Sequence, residues 1–474
     1  MDANIEQDNR NAADSTTNLA GRLSEALINT DLDVVPESVL TKVKAHVLDQ
    51  IGAQIVGAPL AGIQPVFDYV DRYAPRGSCT VIGSAHRLDA EFAGLVNATS
   101  GSACEIDDYA VRPLTHPGCE AIPAAIAVAE EIDATGLDLL RSIVLGLETA
   151  IRIGLVTMPS MIRDRGFHHS GAHAVLASAA AAGTLIKLPR AEQTAAFSIA
   201  VSHASGTTEY VHSGGEVKRL HAGLGAMGGI RAARLAALGL TAPPTILEGD
   251  RGFFQAFCET WEPDLLLAEW GQVWEFDRHA AIKPYFCLGG IHPFIDAVRQ
   301  LRKDHEFSAA DVDSVVLGAG PLIIRQAGAT GPDPRTFLSA QFSAEFSVAM
   351  QIVSGGNRLS DYQRLEQNSF DDHEILRIAR NTKLEHDQEC ADLEPDKLRG
   401  RVTIKTTAGA ELSASAYGLG SVDNPMTPEQ ILEKYHELVD DLIGTERADE
   451  IAQTIMALED VPSARKLGRL LAGD

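Results

Sequence analysis

The sequence predicts a mainly α protein, with a large all-helical domain and a smaller α+β domain inserted before a final helical stretch. Three observations lead there. Apolar residues recur at spacings of three and four through roughly the first 275 residues. Strand-like alternation begins only after about residue 280. Helical spacing then returns in "TPEQILEKYHELVDDLI" and "RADEIAQTIMALE". The implied division is 1–18 as a disordered tail, 19–278 as the first part of the helical domain, 279–418 as the α+β domain and 419–474 as the C-terminal part of the helical domain.

In chain order, the polar and acidic start "MDANIEQDNRNAADSTTN" lacks the basic and apolar regions of a signal peptide. The segments "LAGRLSEALI", "VLTKVKAHVLDQIGAQIVGA", "AIPAAIAVAEEI" and "LDLLRSIVLGLETAIRIGLV" read as helices. "GAHAVLASAAAAGTLIKL" (Gly171 to Leu188) is nearly all small residues, which suits a central helix approached closely on several sides. Farther on, "VDSVVLGAG" and "GRVTIKTTAGAELSASAY" alternate as strands, the second with a turn at Ala408-Gly409, and "SAQFSAEFSVAMQIVSG" reads as a helix.

The chain carries 40 Lys+Arg against 65 Asp+Glu, a formal charge of −25. That balance speaks against a nucleic-acid partner, which needs a broad basic footprint. No apolar run reaches the roughly 18 residues of a membrane span. Cys79, Cys104, Cys119, Cys258, Cys287 and Cys390 show neither a CxxC pair nor regular spacing, which fits a reducing compartment and a cytoplasmic protein. In so acidic a chain, "GGEVKRLHAG" stands out. It gathers Lys218, Arg219 and His221 between glycines, as a local anion pocket would.

Four further stretches combine ionisable residues with glycine or proline punctuation. They are "CEIDDYAVRPLTHPG", "RGFHHSGAH", "IKPYFCLGGIHPF" and "ILEGDRGFFQAF". His169 and His173 have the i, i+4 spacing of two metal ligands, but the glutamate of an HExxH motif is missing and no third ligand stands nearby. No GxSxG occurs, and the glycine-rich runs lack the strand-to-helix setting of a dinucleotide fingerprint. What remains is a set of histidines, lysines and carboxylates without a cofactor signature. Such a set suits proton transfer at a carbon next to a carboxylate. Lysines would hold the substrate anions and stabilise enolate-like charge.

The blocks "EIDDYAVRPLTHPGCEAIPAA", "GFHHSGAHAVLASAAAAGTL", "AVSHASGTTEYVHSGGEVKRLHAGLGAMGGIRAARLAALGL", "KPYFCLGGIHPFIDAV" and "PRTFLSAQFSAEFSVAM" resemble, in order, those of the MmgE/PrpD family. With the intervening pattern they cover nearly all of residues 19–474. The resemblance implies a helical domain with an α+β lid, a homodimer, and action on small polycarboxylates without a metal or organic cofactor. It assigns His116 in "LTHPG", His168 in "GFH", Lys218 in "VKRLHAG" and Lys283 in "IKPY" to catalysis. It adds Glu105, His221 and His292 as substrate contacts. Glu105 stands where decarboxylases of the family tend to have aspartate. Leu288 occupies the place of a further histidine in the animal decarboxylases, and His292 resembles the histidine of the fungal "GLVH" stretch.

The leading expectation is a cofactor-independent lyase on a di- or tricarboxylate, most like cis-aconitate decarboxylase. The alternatives are an epimerase of an iminodisuccinate-type dicarboxylate, a 2-methylcitrate dehydratase-like hydro-lyase, or an inert scaffold that keeps the fold. The dehydratase's own acidic block is absent here, which lowers that alternative.

Overall fold

The computed structural model describes residues 18–472 and gives a mainly α fold with a small mixed-sheet region. Helices α1 (Leu19–Asn29), α2 (Glu37–Gly57), α3 (Ala90–Gly101), α4 (Pro117–Ile132), α5 (Gly136–Thr157), α6 (Ala174–Leu185), α7 (Arg190–Val201) and α8 (Val217–Ala237) dominate the first half. Their starts carry local signals. Asn18 caps α1 through its side chain, Asp89 caps α3, Thr135 caps α5, and α4 opens with Pro117 at its first position. Asn18 is buried, so the last residue of the polar start belongs to the helical body; the rest of that start lies outside the described residues.

The small-residue run forms α6, which packs against α4, α5, α7 and α8. Glycine on α8 makes the closest approach possible. A Cβ at Gly225 would lie 2.3 Å from the Ala174 side chain, and one at Gly229 would lie 2.4 Å from that of Ser178. This packing fixes the start of α8, and with it Lys218, relative to the other helices.

A polar staple holds the segment after α8. Arg152, fully buried on α5, donates to Glu148 at 2.6 Å and to the carbonyls of Ala268 at 2.8 Å, Val273 at 3.0 Å and Leu266 at 3.3 Å. Glu148 accepts in turn from the N–H groups of Glu275 and Phe276. The pair thereby satisfies backbone groups that a buried loop would otherwise leave unpaired.

The strands begin with a short hairpin, β1 (Arg76–Thr80) and β2 (Arg87–Leu88). Strand β3 (Tyr109–Ala110) pairs antiparallel with β4 (Ala280–Ala281), which carries Lys283 toward the acidic segment before α4. The larger sheet has the order β6-β5-β7-β8, formed by β5 (Val312–Ala319), β6 (Thr382–His386), β7 (Arg399–Thr406) and β8 (Glu411–Tyr417). Only the β5–β6 pairing is parallel. The turn between β7 and β8 contains Gly409 at φ +85°, as the Ala408-Gly409 signal requires. Neither the hairpin nor β6 is legible from alternation. β2 is two residues long, and β6 is a charged edge strand, "TKLEH".

Helix α9 (His292–Asp304) lies on β7 and β8. The segment expected as one helix from Ser339 to Gly355 is two, α10 (Phe337–Gln341) and α11 (Ala344–Ser354). Ser343 breaks it by accepting the Phe346 N–H at 3.0 Å and so capping the second. The Ile282 N–H donates to the Gly420 carbonyl at 3.1 Å, so the two passages of chain that flank the sheet run side by side. The chain then forms α12 (Pro428–Ile443), which packs on α2, and α13 (Thr445–Met456). Among the described residues no helix is long and apolar enough to cross a membrane.

Arg152→Met leaves Glu148 buried without its cation and removes the donor from several carbonyls. It is expected to destabilise the protein by about 3–5 kcal/mol in urea unfolding. Replacing Glu148 by Met in the same protein should recover part of that loss; no recovery would show that the carbonyl contacts, not the ion pair, carry it.

Candidate active site

The segment Glu105–Asp108 joins α3 to α4 and divides its acids between two tasks. Asp108 is structural: its carboxylate accepts the Gly118 N–H at 2.9 Å at the start of α4 and lies 2.8 Å from His46 Nδ1. Glu105 and Asp107 point to the other side, toward the lysines. Glu105 has φ +56°, a left-handed conformation that a non-glycine residue holds only where its surroundings compel it.

Lys218, in the first turn of α8, contacts the Glu105 carboxylate and sits 5.4 Å from the centre of the Phe342 ring. Lys283 lies 3.6 Å from both Glu105 and Asp107, and its ammonium has no hydrogen bond of its own among the described residues. All four groups are buried. Burial, together with the charges of Lys283 and Arg219, pulls the Lys218 pKa well below its ordinary value. Burial pushes Asp107 up, but His116 and Lys283 outweigh it and leave the net shift downward.

His116 is the N-cap residue of α4. Its Nδ1 lies 2.6 Å from the Asp108 carbonyl and 3.2 Å from the Asp107 carboxylate. A carbonyl only accepts, so Nδ1 carries hydrogen and Nε2 is the nitrogen that gains or loses a proton. His168 and His169 stack beside it, with ring centroids 4.4 Å apart and that of His169 5.0 Å from His116. His168 Nδ1 lies 2.9 Å from His221 Nδ1, and Tyr210 packs edge-on at 5.3 Å. Burial and the neighbouring imidazoles hold His168 and His169 well below the ordinary histidine range, and His221 is depressed by burial and Lys218.

Glu105, His116, His168 and Lys218 all line one cavity of about 800 Å3. Clefts of about 700 and 790 Å3 elsewhere contain none of the residues assigned from the sequence. Lys283 and His221 stand just behind the wall, in contact with lining groups. His292 is apart from it. It is wholly buried between the Tyr109 and Tyr285 rings and uses Nε2 to donate to the Cys287 carbonyl at 3.2 Å, while Leu288 reaches the cavity. His169 and His173 do not converge on a common point: His173 turns away to Thr157, 2.9 Å from its hydroxyl. Tyr210, His169, Arg112 and Arg325 also line the cavity. Arg112 and Tyr210 fall inside stretches marked in the sequence without being singled out there, and Arg325 lies in none of them, so only contacts between distant segments bring it to the cavity. His169 had a sequence signal, its place in "FHHSG".

The N-terminal domain model of the MmgE/PrpD family matches residues 21–266, and its C-terminal domain model matches residues 285–460. The chain is similar to a cis-aconitate decarboxylase-like protein of Aspergillus oryzae, at 26% identity over 461 residues covering 93% of this chain and 94% of that protein. It is also similar to the cis-aconitate decarboxylases of Aspergillus terreus, at 25% identity with 94% of each chain covered, and of Homo sapiens, at 26% with 92% of this chain and 91% of that protein covered.

Burial lowers His173 and His292 to about 3 from 6.5. Each is neutral in the fold but takes up a proton in the unfolded chain below about pH 6.5, so the stability it contributes is complete above that pH and is lost as pH falls toward 3. The expected slope is about 1.4 kcal/mol per pH unit for each such histidine. Urea unfolding at pH 7, 6 and 5 should show a shallower decline in His173→Asn. Identical slopes would mean that His173 is not held neutral.

Proposed function

The chain belongs to the MmgE/PrpD family, and we propose that it is a lyase that decarboxylates a small di- or tricarboxylate of the cis-aconitate type. One observation carries the reading: a buried run of charge, Lys218–Glu105–Lys283–Asp107–His116, at the wall of a cavity large enough for such a substrate. The names of the similar proteins support it.

Glu105 answers both lysines. A substrate carboxylate takes over part of that role, and Lys283 has donors left to meet it. Loss of carbon dioxide from a carboxylate β,γ to a double bond leaves an electron pair that moves through the allyl system onto the next carboxylate as an enolate. The lysines stabilise that charge as it develops. His116 then delivers a proton from Nε2 to the carbon. Asp107 and the Asp108 carbonyl hold Nδ1 and so fix the orientation of the ring. His168, kept neutral, orients the substrate. The protein acts in this reading without a metal or organic cofactor, as a cytoplasmic homodimer, a state that light scattering on the purified protein checks.

Incubation with cis-aconitate in deuterated buffer should release carbon dioxide and place one solvent deuteron in the product. Lys283→Met and His116→Gln should each lower kcat by about 100-fold or more. Deuterium entering a chiral dicarboxylate without loss of mass would instead mean epimerisation, and would sink the lyase reading.

A further inference from the structure

His169 and Glu120 have no role in the reaction as described, yet they form a connected pair at the cavity wall. The His169 ring lies between those of His116 and His168 and lines the cavity. Its Nδ1 faces inward, 2.9 Å from Ser170 Oγ and 3.5 Å from Glu120 Oε1. Glu120, in the first turn of α4, is fully buried. It accepts the Thr115 hydroxyl at 2.7 Å and the His116 N–H at 3.4 Å, and among the described residues no lysine or arginine pairs with it.

A buried carboxyl group that lacks a cation keeps its proton. Burial pushes Glu120 up to about 8, against the pull of Thr115 and His116, while Asp108 adds to the rise. Burial depresses His169, and the charges of His168, His116, His173 and Lys283 depress it further. At neutral pH the pair is therefore a carboxylic acid behind a neutral imidazole. The acid lies on the Nδ1 side of the ring.

We propose that His169 protonates the carboxylate oxygen on which the enolate charge collects and that Glu120 is the acid behind it, acting through Nδ1, an inference that rests on the lyase reading. As the oxygen–hydrogen bond forms at that carboxylate, the Nε2–H bond breaks. Nδ1 takes the Glu120 proton as the carboxyl O–H bond breaks. The ring stays neutral throughout, changing only its tautomer, and the negative charge that arose on the substrate rests on Glu120. When His116 protonates the carbon, the carboxyl oxygen returns its proton to Nε2 and the relay reverses, so the turnover consumes only the proton that His116 delivers.

The test compares kcat and KM against pH for the wild-type protein, Glu120→Gln and His169→Gln, on a polycarboxylate that the wild-type protein decarboxylates. Glutamine keeps the shape and hydrogen bonds of the acid but has no proton to give. Glu120→Gln should lower kcat by about 100-fold with KM nearly unchanged, and the fall in wild-type rate above pH 8 should be absent from it. His169→Gln should lose as much, and the double variant no more than either alone. Wild-type kcat in Glu120→Gln, or losses that multiply in the double variant, overturns the proposal. A protein that decarboxylates nothing refutes the lyase reading by itself, and the relay is then read by nitrogen-15 NMR of labelled histidine. The His169 proton should move from Nε2 to Nδ1 as pH passes about 8 in the wild-type protein and not in Glu120→Gln. A wild-type ring with one tautomer across that range overturns it.

Discussion

Glu105, Asp107, Lys218 and Lys283 share an interior from which water is largely excluded, and they can be charged there only because each faces an opposite charge. Removing any one would strand another, so the geometry of the whole site follows from keeping this balance. The four come from three separate stretches of chain. Holding them together within a few ångströms is the work of the surrounding helices: α3 and α4 fix the acidic segment, α8 brings Lys218, and the β3–β4 pairing brings Lys283.

A second layer supports the first. Lys434 on α12 pairs with Asp49 on α2 and donates to the Ile106 carbonyl at 3.1 Å, between the two acids that face the lysines. Asp108 ties the same segment to His46 and to the start of α4. The C-terminal helices therefore reach the site through the backbone of the acidic segment. The left-handed Glu105 is held between these anchors and the lysine it meets. In a chain of formal charge −25, Lys218 and Lys283 are a local concentration of positive charge set against the mean field of the molecule.

Much of this was legible beforehand. Helical spacing announced α1, α2, α4 and α5, the small-residue run announced the crowded α6, and alternation announced β5, β7 and β8. His116, His168, Lys218 and Glu105 were marked by punctuation and family resemblance, and they meet at one cavity. What periodicity missed had weak local signals. Ser343 cut a helix that apolar spacing alone would have continued, and β6 is a strand because β5 pairs with it, not because its own residues alternate. His292 looked much like the other site histidines in sequence, yet it faces Tyr109, Tyr285 and the Cys287 carbonyl, since the first turn of α9 turns it inward.

The sequence by itself determined the class of fold, the order of helices and strands, and the residue types able to bind carboxylates and move protons. Periodicity and turn chemistry are local properties and need no partners to be read. Only the tertiary structure decided which of those residues share a cavity, that Asp108 serves the helix start while Asp107 serves His116, and that Glu120 lies behind His169. Those outcomes depend on contacts between segments far apart in the chain. The protonation states depend on burial and on neighbouring charge, which no single segment contains.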